Sequence, residues 1–300
     1  MSFLNPVSEP VLRFKSTDAG APQINYNSRV PGDVKAILKS CLVTGYGAKA
    51  SAGWTAANEV ANVIEFVSPS AAMSDYRLGI DDTSAAKTDW YYQYQDARTN
   101  PNHNAPVKSF SNADKVNAAN GWQMLVSERG VIFIELIQHS AVTKLSARIT
   151  YWGAVKSGLP SVNGKNICFF NVGHNSQLVS PYLMYSSSLA ISLQLESEVA
   201  TIVSTATSSA LSAANQVLDV SSVDLISPIY LANNSNSLLV GELPLMLSKI
   251  VNATADLYGV SEFELDGRNV LSVCAGFSST GALALDRSRT FLIRTDYWEY

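Results

Sequence analysis

The chain has 300 residues, 47% of them hydrophobic and only 15% charged, with a formal net charge of −4. That length holds one or two domains with a sizeable core, and a slightly acidic balance without any run of Lys or Arg argues against direct nucleic-acid binding, which needs clustered cations. A surface low in charge and rich in Ser, Thr, Asn and Ala suits a protein packed against copies of itself, because long charged side chains lose most entropy on ordering and are depleted at interface centres.

The N-terminus, MSFLNPVSEPVLRF, has no charged segment followed by an apolar one, and no apolar stretch reaches the roughly 18 residues of a membrane span. The expectation is a chain made in the cytosol, with no membrane span. Pro6, Pro10, Pro22 and Pro31 punctuate polar sequence and predict an extended arm over 1–31 that ties the subunit to a neighbour. From 32 to 300 a single β-rich domain is expected, with a subdivision near 190–220 as the alternative. A short helix is predicted over 33–43, where Val34, Ile37, Leu38 and Leu42 recur at helical spacing, Asp33 caps the start and Gly45 closes the end.

Strands follow at 63–67 (VIEFV), 76–80 (YRLGI) and 90–95 (WYYQYQ), rich in β-branched and aromatic residues. A polar loop over 96–120 ends in Asn120 and Gly121, a tight-turn pair, before WQMLV at 122–126. Glu128, Arg129 and Gly130 turn the chain into VIFIELI at 131–137. Over 145–152, Leu145, Ala147, Ile149 and Tyr151 alternate with Ser146, Arg148, Thr150 and Trp152, the period of a half-buried strand. Asn163 and Gly164 predict a further turn into 166–172. Apolar residues over 193–218 fit one longer helix, although its many Ser and Thr residues dilute helix propensity. The last third returns to strands at 224–231, 269–277 and 290–298, with Asp266 and Gly267 as a turn. The fold class read from this order is α+β and β-dominated, with antiparallel, sandwich-like sheets and a short N-terminal helix.

Chemistry-bearing patterns are sparse. Cys41, Cys168 and Cys274 form no CxxC pair and have apolar neighbours, so buried thiols are expected. Residues 158–166, GLPSVNGKN, have five residues between their glycines and Asn166 after the lysine, which a phosphate loop does not tolerate. Residues 276–281, GFSSTG, lack the spacing of a nucleophile elbow. His103, His139 and His174 share no metal-ligand spacing. Asp81 with Asp82, and Glu196 with Glu198, read as solvated turn acids before they read as a hydrolase pair. Trp90 and Tyr91 are the candidates for an interface or a stacked sugar, since alternation sets Trp90, Tyr92 and Tyr94 on one face and Tyr91 on the other. No catalytic, cofactor-binding or metal residue is assigned.

One stretch carries more. Residues 32–55 read GDVKAILKSCLVTGYGAKASAGWT, a short helix ending in Cys41, Leu42 and Val43, then Gly45, Tyr46 and Gly47, then Ala52, Gly53, Trp54 and Thr55. This resembles a segment of uncharacterised tailed-bacteriophage virion structural proteins. Upstream, residues 16–22 (STDAGAP) look like that family's opening; SPIY at 227–230, GELP at 241–244 and FLIRTD at 291–296 look like its late strands and terminus. The resemblance implies a non-enzymatic virion subunit partnered by its own copies and other virion proteins. Its expected place is the tail (neck, tube-associated or baseplate), with capsid decoration or a receptor- or glycan-binding module as alternatives. In physical terms the glycines permit a turn closed to other residues and Trp54 is a core plug over the helix.

Overall fold

The computed structural model describes residues 7–24, 30–74, 76–83, 91–96, 121–138, 145–154, 156–157, 167–172, 192–194, 199–201, 225–233, 238–250, 260–274 and 290–300. In chain order the elements are β1 (Ser8–Pro10), β2 (Leu12–Lys15), α1 (Asp33–Lys39) with a π turn at Ser40–Thr44, β3 (Thr55–Val60), β4 (Val63–Val67), β5 (Tyr76–Asp81) and β6 (Tyr91–Asp96). There follow β7 (Trp122–Val126), β8 (Gly130–Gln138), β9 (Leu145–Ala154), β10 (Lys156–Ser157), β11 (Ile167–Val172), β12 (Ser192–Gln194) and β13 (Val199–Thr201). The last are β14 (Leu225–Asn233), β15 (Leu238–Ile250), β16 (Val260–Leu265), β17 (Arg268–Cys274), β18 (Thr290–Arg294) and β19 (Tyr297–Glu299). The protein is β-dominated, with antiparallel sheets and one short α-helix among the described residues, the class that the pattern predicts.

The seven-stranded sheet, in the order β13-β12-β11-β9-β8-β7-β2, forms the middle layer. Val131, Ile132, Phe133 and Ile134 of β8 are all buried, which is why VIFIELI is a nearly unbroken apolar run: a strand covered on both faces has no solvent side to mark with polar residues. One face receives the helical segment, through Trp54 against Trp152 (ring centroids 5.4 Å apart) and Tyr46 against Trp122 (6.3 Å). The other face meets the C-terminal part of the chain, where Tyr151 stands 6.4 Å from Trp298 and Arg13 reaches Glu262 at 2.7 Å. There lies the six-stranded sheet, β10-β15-β18-β17-β16 with β14 on β15. A four-stranded sheet, β3-β4-β5-β6, buries Ile64, Phe66, Leu78 and Ile80 and is tied to α1 by hydrogen bonds from the helix to Asp82 and Ala61.

Several expectations change on meeting this structure. Within the N-terminal segment, residues 8–15 are extended but not an arm laid on a neighbour: β1 pairs with β19 and β2 pairs with β7, and Phe14, Ala21 and Ile24 belong to the core. Pro10 itself lies in β1, opposite Tyr297, at a sheet edge where a proline is tolerated. The helix spans the expected residues and buries Val34, Ile37, Leu38 and Leu42, but Asp33 is not its cap. Asp33 accepts a bond from Val30 N at 2.9 Å, while the first-turn amides of Val34 and Lys35 donate to Asp82 Oδ2 at 2.9 and 3.2 Å. The cap comes from a residue 48 positions away, which no local signal reveals.

Strand β9 is not half-buried, since Thr150 and Trp152 on its more polar face are as inaccessible as Ile149 and Tyr151. The longer helix over 193–218 is replaced at its start by β12 and β13, which pair with each other and extend the middle sheet; residues 195–198 and 202–218 lie outside the described residues. The β-branched Val199 and Thr201 favour the strand once an open sheet edge is beside them. The final strand is divided at Thr295 and Asp296, where Thr295 N turns to Asn269 O at 2.9 Å.

Candidate functional site

The stretch singled out in the sequence folds into two interlocked turns. Gly45 ends the helical segment with φ 75° and ψ 176°, its N–H reaching back to Ser40 O at 2.8 Å. Tyr46 and Lys49 then close a tight hairpin by exchanging backbone bonds of 3.0 and 2.8 Å. Against this turn lies the one at residues 16–20. Gly47, with φ 55°, sits so close that a Cβ there would lie 2.3 Å from Ala19 O. No other residue type fits, because both the backbone conformation and the space exclude a side chain.

Asp18 locks the two turns together. Its Oδ2 accepts bonds from Lys15 N (2.9 Å), the Tyr46 hydroxyl (2.8 Å) and Lys49 Nζ (2.6 Å). Burial alone would raise this carboxyl, but the bonds from Lys49, Lys15 N–H and Tyr46 outweigh it and hold Asp18 below the usual carboxylate range. Burial, together with the neighbouring Asp18 charge, pushes the Tyr46 phenol up, so it stays a donor. The Tyr46 ring continues the contact inward, between Phe14 (6.0 Å) and Trp122 (6.3 Å), and Trp122 Nε1 donates to Pro22 O at 2.9 Å.

The second half of the stretch satisfies the helix end. Ala52 N and Trp54 N donate to the Cys41 and Leu42 carbonyls, each at 2.9 Å, so the chain folds back onto acceptors that a helix terminus leaves open. Trp54 is buried, meets the Trp152 ring edge-on and donates to Ser127 O at 3.3 Å, so its side chain anchors this segment to the middle sheet. Gly53 has φ 78° and open space around it. Cys41 is a free, fully buried thiol whose pKa burial pushes up, an inert core residue.

A second polar knot, invisible in the sequence, joins the chain ends. Glu9 on β1 stands 2.6 Å from Arg129 Nε, and its other oxygen accepts from Arg129 N at 3.2 Å. The guanidinium lies 5.6 Å from the Tyr300 ring, whose hydroxyl meets Ser127 Oγ at 2.7 Å. Here burial wins over the Arg129 charge and raises the Glu9 pKa. Gly130 and Gly153, cross-strand partners on β8 and β9, leave the slot into which the Tyr300 and Tyr151 hydroxyl ends fit.

The remaining candidates offer no assembled chemistry. Asp82 is the buried helix cap, and Asp81 Oδ1 accepts from Thr83 N and Oγ1 at 3.1 and 2.6 Å, so the two adjacent acids serve separate local ends. Tyr91 pairs with Asp81 across β6 and β5, while Tyr92 and Tyr94 oppose the buried Ile80 and Leu78; Trp90 lies outside the described residues, as do the three histidines, residues 158–166, residues 276–281, Glu196 and Glu198. Among the described residues no three His, Cys, Asp or Glu side chains are grouped to hold a metal, and no helix is long and apolar enough to cross a membrane. Compared with family models, curated proteins and solved structures, the chain matches none.

Proposed function

We propose that the protein is a non-enzymatic structural subunit of a tailed-bacteriophage virion, made in the host cytoplasm and working by self-assembly and contact with other virion proteins. Our assignment within the particle is the tail, as a neck, tube-associated or baseplate component. The observation that supports this reading is that two of the separated segments that carry the virion-protein resemblance, 16–22 and 32–55, are one unit in space. Asp18 and Ala19 of the first meet Tyr46, Gly47 and Lys49 of the second. A likeness spread over two stretches means more when both build one interlocked device. What that device does is hold backbone in place: its polar atoms are spent on each other and its thiol is buried, which suits a subunit whose work is rigidity.

The test is mass spectrometry of purified particles of the phage that encodes the chain, followed by cryo-EM to place it. Stoichiometric presence in the tail is the expected result. Particles that lack the chain overturn the assignment, and density on the capsid moves it to a decoration role.

A further inference from the structure

Strand β16 is the outermost strand of the six-stranded sheet and, among the described residues, pairs only with β17. Its burial is unlike that of any central strand: Ser261, Glu262, Phe263 and Glu264 are all exposed, and only the ends, Val260 and Leu265, are half-buried. The strand has an unshifted register and no proline, and it is closed by a two-residue turn in which Asp266 and Gly267 have φ 51° and 70°. In such a hairpin the closing pair, Leu265 with Arg268, exchanges backbone bonds, and so do Phe263 with Val270 and Ser261 with Ser272. The N–H and C=O groups of Val260, Glu262 and Glu264 therefore point away from the sheet. Among the described residues this is an open row of three residues centred on Glu262.

An exposed edge is usually protected by charge. Here the protection is cancelled from within: Glu262 Oε1 accepts from Arg13 NH2 at 2.7 Å and Lys15 Nζ at 3.1 Å, and the paired cations hold the Glu262 carboxyl down at about 2. Two cations, Arg13 and Lys15, and two carboxylates, Glu262 and Glu264, leave the edge without net charge.

We propose that β16 is a self-pairing edge: two copies of the chain join antiparallel through it, about a twofold axis at Glu262, continuing the six-stranded sheet from one copy into the other. The open row is symmetric about its centre, as a twofold contact requires. Glu262 faces Glu262 of the second copy, and each is already paired with two cations. Glu264 faces Val260, not another acid. On the opposite face Phe263, 36% exposed in the single chain, comes to lie across from Ser261 of the second copy and gains cover. The contact stands apart from the virion assignment, since a chain absent from particles can still dimerise and a virion protein can still be monomeric before assembly.

The full chain is examined by light scattering after gel filtration, from micromolar to submillimolar concentration, together with three variants. The wild type is expected to dimerise. Glu264→Pro is expected to become monomeric with unchanged far-ultraviolet dichroism, because the amide it removes points outward and a proline there leaves the bonds to β17 in place. Glu262→Cys, treated with a short bismaleimide, is expected to give a covalent dimer, and Glu264→Cys, whose counterpart lies farther along the strand, much less. A monomeric wild type throughout overturns the proposal. So does a dimer that Glu264→Pro leaves intact, or crosslinking at Glu264→Cys as complete as at Glu262→Cys.

Discussion

Two polar knots hold the N-terminal segment, one at Asp18 and one at Glu9, and they respond oppositely to the same ingredients. Both set a carboxylate against a cation and a tyrosine. At Asp18 three donors converge on one oxygen at the rim of the core, and the acid is driven below its usual range. At Glu9 the side chain is more deeply enclosed and Arg129 is its main counter-charge, so desolvation prevails and the pKa rises. A cation alone does not decide a carboxylate's pKa; the number of bonds it accepts against the water it has lost does. The knots also differ in origin. The first is closed by short turns, the second by strands from opposite ends of the chain.

The largest expected contrast is between glycines. Gly47→Ala forces a side chain into a left-handed conformation and onto Ala19 O, a backbone atom that cannot step aside, and should cost about 3 kcal/mol or more. At the other knot, an added Cβ at Gly130 meets the Tyr300 hydroxyl at 2.8 Å and the Tyr151 ring at 3.0 Å, side chains that can give, so Gly130→Ala should cost about 1–2 kcal/mol. Urea denaturation followed by tryptophan fluorescence measures both; equal losses would mean that the first knot is no tighter than the second.

Removing a single hydroxyl should give a smaller, ordered pair. Tyr46→Phe deletes a bond to an ionised acceptor and is expected to cost about 2 kcal/mol, whereas Tyr300→Phe deletes a neutral bond to Ser127, which still accepts from Arg129 N at 3.1 Å, and is expected to cost about 1 kcal/mol. Reversal of that order in thermal melts would assign the greater weight to the chain-end knot.

The smallest effects are in pH. Asp18 has its folded pKa lowered, so its contribution is present above the unfolded carboxylate value and is lost as pH falls through the folded one; Asp18→Asn should flatten the acid limb of the stability curve. Glu9 has its folded pKa raised, so its contribution is present at low pH and is lost as pH rises through that value. Glu9→Gln should therefore remove a shallow decline just above the ordinary carboxylate range. Urea midpoints collected from pH 3 to pH 7 distinguish the two slopes; matching slopes for both variants would erase the difference between the knots.

Much of the fold is legible locally. Runs such as VIEFV, WQMLV and VIFIELI announce their strands because β-branched and aromatic side chains fit a pleated, covered surface. The helix shows in its apolar spacing, and the glycines of the turn show in their conformation. What escaped detection did so for two physical reasons: a partner far along the chain supplied the missing half, or the strand has no buried face to mark it. SEP at 8–10 and LRFK at 12–15 become strands only because β19 and β7 offer edges to them. VSEFEL carries charge at alternate positions with exposed Phe263 between them, which gives it no buried face and no core signature. Of the interlocked site, the residues Gly45, Tyr46, Gly47 and Trp54 stand out in the sequence, but Asp18 as the common acceptor of Lys15 N, Tyr46 and Lys49 does not.

By itself, then, the sequence determined the β-dominated class, the extent of the short helix and the places where only glycine can turn, because these follow from backbone sterics and side-chain period within a few residues. The tertiary structure alone decided that Asp82 caps the helix, that Asp18 joins two turns, and that Glu9, Arg129 and Tyr300 close the chain on itself. A hydrogen bond or an ion pair depends on distance in space, and no spacing along the chain encodes a contact between residues 9 and 129.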